Sequence, residues 1–220
     1  MHRKGVEAEH YVKDAKERSQ KSESQCERNH FLRLGGTESD NLALIGVARA
    51  NKRRGNHLIT SSIEHPAILN TMRHLEEEEG FRVTYLPVDA AGRIRLDALK
   101  EALCEDTILV SVMYVNNEVG TVQPIEEAVQ MVKAYDPQII FHSDAVQGYG
   151  KYRIYPKRMG IDLLPPAGIR STDRKGSVFS ISEKKVKITP IVYGGEQQEK
   201  ISAPEQKMSR ESRDWDWRRR

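Results

Sequence analysis

The stretch Ile139-Ile140-Phe141-His142-Ser143-Asp144-Ala145-Val146-Gln147 decides the reading of this chain. An apolar run followed by a polar break predicts a buried strand that ends in a functional loop. Ligand chemistry in α/β sheets collects just outside such strand ends. Asp144 is the informative residue. A carboxylate at a buried strand end needs a cationic partner, such as a protonated ring nitrogen. A helix N-cap Asp is the equal alternative on spacing alone.

Working outward, strands alternate with helices. Residues 57–61, 81–88 and 107–115 read as strands, and 96–103 and 125–134 as helices, with a turn at 89–93. A further helix opens near Glu64-His65-Pro66-Ala67-Ile68, with Pro in its first turn. The acidic run 76–79 reads as a solvated face. Alternation at intervals of about 20–30 residues predicts an α/β domain with a mostly parallel sheet.

Three further motifs fall at predicted junctions. Gly35-Gly36-Thr37-Glu38-Ser39-Asp40-Asn41 opens a helix running to about residue 52, with Leu42, Ile45 and Ala48 as its apolar stripe. Glycines before a helix N-terminus let backbone amides approach a phosphate, and the helix dipole favours the anion. An ordinary capping box of Thr37 with Asp40 fits the spacing equally. His65 stands at a strand-to-helix junction, where a cap or a surface role is the ordinary reading. Asn116-Asn117-Glu118-Val119-Gly120 follows the strand at 107–115 and supplies side-chain amides suited to a phenolate or carboxylate.

Together the four motifs resemble the class V aminotransferase group, the cysteine desulfurases in particular. The resemblance covers about residues 36–164 and 185–195. It implies a three-layer, fold-type-I, pyridoxal-phosphate-dependent transferase large domain, incomplete here, with residues 35–195 as the cofactor-binding part. It assigns Gly36 and Thr37 to the cofactor phosphate and His65 to the ring face, where it stacks and moves protons. Asn117 and Gln147 fall to the ring's phenolic oxygen, and Asp144 to the pyridinium nitrogen. The implied reaction takes L-cysteine to L-alanine and passes sulfur to an acceptor protein, in a cytoplasmic homodimer that binds neither nucleic acid nor membrane. A selenocysteine lyase, or a non-catalytic fragment, is the alternative.

The chain departs from the family pattern in places. Arg33-Leu34 stands where the family has Thr-Ser. Residues 1–18 resemble the lead-in to the family's first long helix, but 19–34 have no apolar period and read as a disrupted loop. Beyond Leu164 the family's lysine, which bonds covalently to the cofactor, is replaced by Arg170, with Ile169 in place of the preceding His. Arginine stays protonated and is no such nucleophile. Back-translation shows that a shifted reading frame over 168–184 can restore the family string, lysine included. The same shift from Lys200 can restore another family segment, and two different shifts act within 18–31. The tail 196–220 is therefore expected to be out of frame or disordered.

Bulk composition sets outer bounds. At 220 residues, the chain has length for one large domain or two small ones. A net charge of +3 points to no particular partner, and much of the positive charge sits in the last dozen residues. There is no long apolar run and no signal peptide. Two cysteines, Cys26 and Cys104, make neither a disulfide framework nor a metal set, and neither matches the family's catalytic cysteine.

Overall fold

Successive residues of a strand point to opposite faces, and here both faces are apolar. Leu58, Leu109, Ile140 and Leu163 pack on one side of the sheet, while Ile59, Val110, Phe141 and Leu164 pack on the other. Such two-sided burial is characteristic of parallel strands covered by helices on both faces. The computed structural model describes residues 28–34, 36–148, 151–165, 178–182 and 186–191, with 28–34 and 178–182 described by their backbone.

The first face is covered by α1 (Gly36–Asn51) through Ala43, Leu44 and Val47, and by α2 (Pro66–Glu77) through Ile68, Met72 and Leu75. The second is covered by α3 (Leu96–Ala102), α4 (Ile125–Tyr135) and α5 (Pro156–Met159) through Leu99, Val129, Val132 and Met159. The result is three layers, as the sequence leads one to expect.

The sheet comprises β1 (Arg28–Leu34), β2 (His57–Ser61), β3 (Arg82–Leu86), β4 (Thr107–Ser111), β5 (Ile140–His142), β6 (Leu163–Leu164) and β7 (Val178–Ser182). Its order is β1-β7-β6-β5-β4-β2-β3. The five strands from β6 to β3 are parallel, and β7 runs antiparallel to both its neighbours. After β3 the chain returns to the other side of β2 to form β4. The carboxyl ends of β2 and β4 therefore flank the crevice where a ligand is expected.

Most expected elements lie within a few residues of those observed, with three differences. Residues 28–34 were expected to be loop, yet their backbone pairs with β7 from Arg28↔Ser182 onward. An edge strand needs only backbone pairing on one side, so the missing apolar period did not predict it. The written sequence at 178–182 itself forms a strand, without any change of frame. β4 stops at Ser111 rather than 115, because the chain turns out into a loop closed by the Val115↔Val122 bridge. The expected helix at 1–18, the rest of the disrupted segment (19–27) and the tail at 196–220 lie outside the described residues.

A close approach fixes α1 against the segment that follows β7. The Thr189 N–H donates to the Gly46 carbonyl at 2.9 Å. A Cβ on Gly46 would stand 2.4 Å from Ile188 Cγ2 and 2.8 Å from the Thr189 carbonyl oxygen. Only glycine leaves room for that contact.

Candidate active site

The loops after β2, β4 and β5 meet at the carboxyl edge of the sheet, beside the start of α1. The Glu64 Oε1 accepts the Ser61 hydroxyl at 2.5 Å and the Met113 N–H at 3.0 Å, joining the first two loops. Asn116 Nδ2 donates to the Ile63 carbonyl at 2.9 Å, a second tie between the same pair. The Tyr114 N–H donates to the Asp144 carbonyl at 2.8 Å, joining the loops after β4 and β5. Gly36 begins α1 against this cluster, since a Cβ there would reach Val146 Cγ2 at 3.4 Å.

Asp144 is buried, and its Oδ1 accepts the Val146 N–H at 2.8 Å. The capping alternative is therefore partly realised, as a turn rather than a helix start. The carboxyl takes no other hydrogen bond from the described residues, and no Lys or Arg among them stands within ion-pair reach. Burial raises its pKa, against the opposing hydrogen bond from the Val146 amide.

His65 N-caps α2, with its Nδ1 accepting the Ala67 N–H at 3.1 Å. A ring nitrogen that accepts an amide proton carries no proton itself, so the neutral ring holds its proton on Nε2. Pro66 follows at the first helical position, where its missing N–H costs nothing. The residue is half-buried.

The remaining sequence-derived residues vary in placement. Gly36 is half-buried and Thr37 exposed at the start of α1, where the first amides of the helix have no intrahelical partners. Gln147 is half-buried in the turn after Asp144, and Asn117 is exposed in the turn after β4. Asn116 has the structural role instead, with its Oδ1 accepting the Glu118 and Val119 amides at 2.9 Å each. The capping box of Thr37 with Asp40 does not form. Asp40 is buried on the sheet side of α1, and its Oδ1 has no hydrogen bond among the described residues. Arg170 lies outside the described residues.

Three polar residues to which the sequence analysis gave no part in the cofactor site are buried at this edge. Glu64 is 4% exposed, and burial lifts its pKa to about 8 against the opposing Ser61 and Met113 hydrogen bonds. His142 is fully buried, and burial lowers it to about 3. Asp40 stands well above the ordinary carboxylate range through burial first, then the charges of Asp144 and Glu64. His142 is a polar residue inside an otherwise buried strand, which is the signal that marks such groups, whereas Glu64 and Asp40 stand in segments with exposed or half-buried neighbours and carry no such signal.

No helix among the described residues is long and apolar enough to cross a membrane, and no cluster of three His, Cys, Asp or Glu among them could hold a metal ion.

Comparison with known proteins agrees with this architecture. The chain is 45% identical over 203 residues to a putative cysteine desulfurase, IscS 1, of Bacillus subtilis, covering 92% of this chain and 53% of that protein. It is 44% identical over 199 residues to the cysteine desulfurase IscS of Methanosarcina thermophila, covering 90% and 48%. The chain thus spans about half the length of the curated relatives it matches. Among solved structures, a NifS-like protein superposes with a TM-score of 0.86 at 34% identity, over 96% of this chain and 59% of that one. DndA from Streptomyces lividans superposes with a TM-score of 0.80 at 35% identity, over 94% and 59%. The family description that matches, aminotransferase class-V, takes in residues 1–218, more than the motifs alone suggested. With the four motifs at one sheet edge, a shared fold and a match along nearly its whole length, the chain belongs to the class-V aminotransferase family.

Proposed function

We propose that this chain is the cofactor-holding part of a pyridoxal-phosphate-dependent cysteine desulfurase. The carrying observation is Asp144, a buried carboxylate at the end of β5 with no Lys or Arg within ion-pair reach among the described residues. Such a group fits a cationic heteroaromatic ring, because a buried carboxylate without a partner is costly. Gly36, which opens α1 beside Val146 in the loop after β5, fits a phosphate drawn close to the first turn of the helix.

Asp144 would accept the ring N–H. The Gly36 amide and the Thr37 hydroxyl would hold the phosphate, and the Asn117 and Gln147 amides the phenolic oxygen. His65, fixed through Nδ1, would lie over the ring face with Nε2 placed to carry a proton. When bound, pyridoxal phosphate supplies an electron sink for chemistry at the amino-acid α-carbon. L-cysteine is the proposed substrate, L-alanine the product and a sulfur-acceptor protein the partner, with a homodimer as the working unit. With Arg170 at the lysine position, the chain as written would hold the cofactor without a covalent bond.

The test is a calorimetric titration of the purified chain with pyridoxal phosphate, alongside Asp144→Ala. A lost charge-assisted hydrogen bond should weaken binding at least about tenfold. Equal affinity for the two proteins would overturn the reading.

A further inference from the structure

Polar residues at the carboxyl ends of β2, β4 and β5, the second-last of β2 and the last of the other two, form a row on the α1 face of the sheet. Thr60 pairs with Ser111, and Ser111 with His142, across three adjacent strands. Strand alternation puts all three on the side of Leu58, Leu109 and Ile140, facing α1. Within this apolar layer the row is an exception, and α1 answers it with Ser39 and Asp40, both buried.

The bonding across that interface is half complete. His142 Nδ1 lies 2.9 Å from Ser111 Oγ. Its Nε2 lies 3.7 Å from Asp40 Oδ1, and neither of these two buried atoms has another partner among the described residues. A buried donor or acceptor left without a partner is costly, so two orphans facing each other are best explained as one interaction. The ionisable groups facing Asp40 are His142 on β5, Asp144 just beyond it and Glu64 after β2.

Their charges restrict the options. Three carboxyls, Asp40, Asp144 and Glu64, converge in a space with little water. Neighbouring buried carboxylates do not all ionise together. An imidazolium at His142 would be fully buried, and burial opposes it. Asp144 alone of the three has a cationic partner in prospect, the cofactor ring.

We propose that Asp40 is a positioning residue of the cofactor site: as a neutral carboxylic acid it donates its proton to His142 Nε2, which fixes the ring between Asp40 and Ser111 and leaves Asp144 to carry the site's negative charge. His142 then donates from Nδ1 to Ser111 Oγ, so both ring nitrogens of His142 are partnered. Asp40 touches neither cofactor nor substrate. It acts through the end of β5, two residues before Asp144, and by withholding a second negative charge. This rests on the cofactor reading only for its consequence at Asp144; the proton assignment stands without it.

The experiment has two arms. In the first, the 13C carboxyl resonance of Asp40 and the 15N resonances of His142 are followed from pH 6 to 8 in the chain without cofactor, and assigned with Asp40→Asn and His142→Gln. The expected result is a protonated Asp40 carboxyl and a neutral His142 protonated on Nδ1. An ionised Asp40, or imidazolium signals at His142, overturns the proposal. In the second arm, pyridoxal phosphate affinity is measured for Asp40→Asn and Asp40→Ala. Asparagine keeps the neutral donor, so affinity should stay within about twofold, whereas alanine should lose about fivefold or more, both values being readable as free energies by the tenfold-per-1.4 kcal/mol rule. An Asp40→Asn chain that keeps its wild-type melting temperature but binds as weakly as Asp144→Ala overturns it. If no form of the chain binds pyridoxal phosphate, the cofactor reading fails, and the first arm still decides the state of Asp40.

Discussion

Glu64 Oε1 accepts the Met113 N–H at 3.0 Å, so one buried carboxyl fastens the loop after β2 to the loop after β4. Folding raises this group from its ordinary 4.5 to about 8, chiefly by burial. Between those values the folded chain keeps a proton that the unfolded chain has released. The contribution to stability is therefore fully present below about pH 4.5 and is lost as pH rises through about 8. At 1.36 kcal/mol per unit, the loss is at most roughly 5 kcal/mol. Glu64→Gln keeps the acceptor oxygen and removes the titration. Urea midpoints from pH 5 to 8.5 should fall steeply for the wild type and much less for the variant. Parallel curves would show that Glu64 is not the group responsible.

His65 combines a structural and a chemical task, and substitution separates them. Asparagine can still cap α2, so His65→Asn should change stability little. His65→Ala should cost about 1 kcal/mol, the usual value of a lost cap. Both should weaken pyridoxal phosphate binding alike, because both remove the ring. Thermal melts paired with titrations check this. If asparagine restores cofactor affinity along with stability, the ring has no role at the cofactor face.

Gly46→Ala is a case where local propensity and packing disagree. In a helix interior alanine is favoured over glycine by about 1 kcal/mol. The new methyl would meet the Thr189 carbonyl oxygen at 2.8 Å, and that is backbone, not the movable end of a side chain. Packing should win, lowering the melting temperature by several degrees. A raised melting temperature would mean that residues 186–191 do not pack on α1.

How legible was all this in the sequence? The layers were, because Leu58-Ile59 and Ile140-Phe141 each put adjacent apolar side chains on opposite faces. The places of His65 and Asp144, in the loops after β2 and β5, were legible from the strand pattern, while their proposed roles came from the resemblance. β1 was not, since backbone pairing at a sheet edge leaves no apolar period to read. Nor was the Asp40–His142 pair. The two residues lie about a hundred positions apart, and only the register Thr60–Ser111–His142 brings them opposite each other. Read locally, Asp40 was a cap for Thr37, and tertiary burial overrode that propensity.

The chain as written should show no appreciable turnover of cysteine. The family's lysine position carries Arg170, whose guanidinium stays protonated at neutral pH. Lys175 is five residues further on, where the resemblance implies a surface or turn position. Of the two thiols, Cys104 sits at the amino end of the sheet, bonded to the Thr107 hydroxyl and Arg82, on the opposite edge from Asp144. Cys26 matches no family cysteine. Losing a covalent catalytic group costs orders of magnitude in rate, and the losses of a lysine and a thiolate that act in one sequence do not simply add. Binding can survive what turnover does not, since on the proposed reading Asp144 and the start of α1 would hold the cofactor through other atoms. The assay supplies pyridoxal phosphate and cysteine to the purified chain and measures alanine and sulfide against a protein-free control. The expected result is no difference from that control, for the chain and for Lys175→Ala alike. Turnover above the control that disappears in Lys175→Ala would show that this lysine has taken over from the one Arg170 replaced.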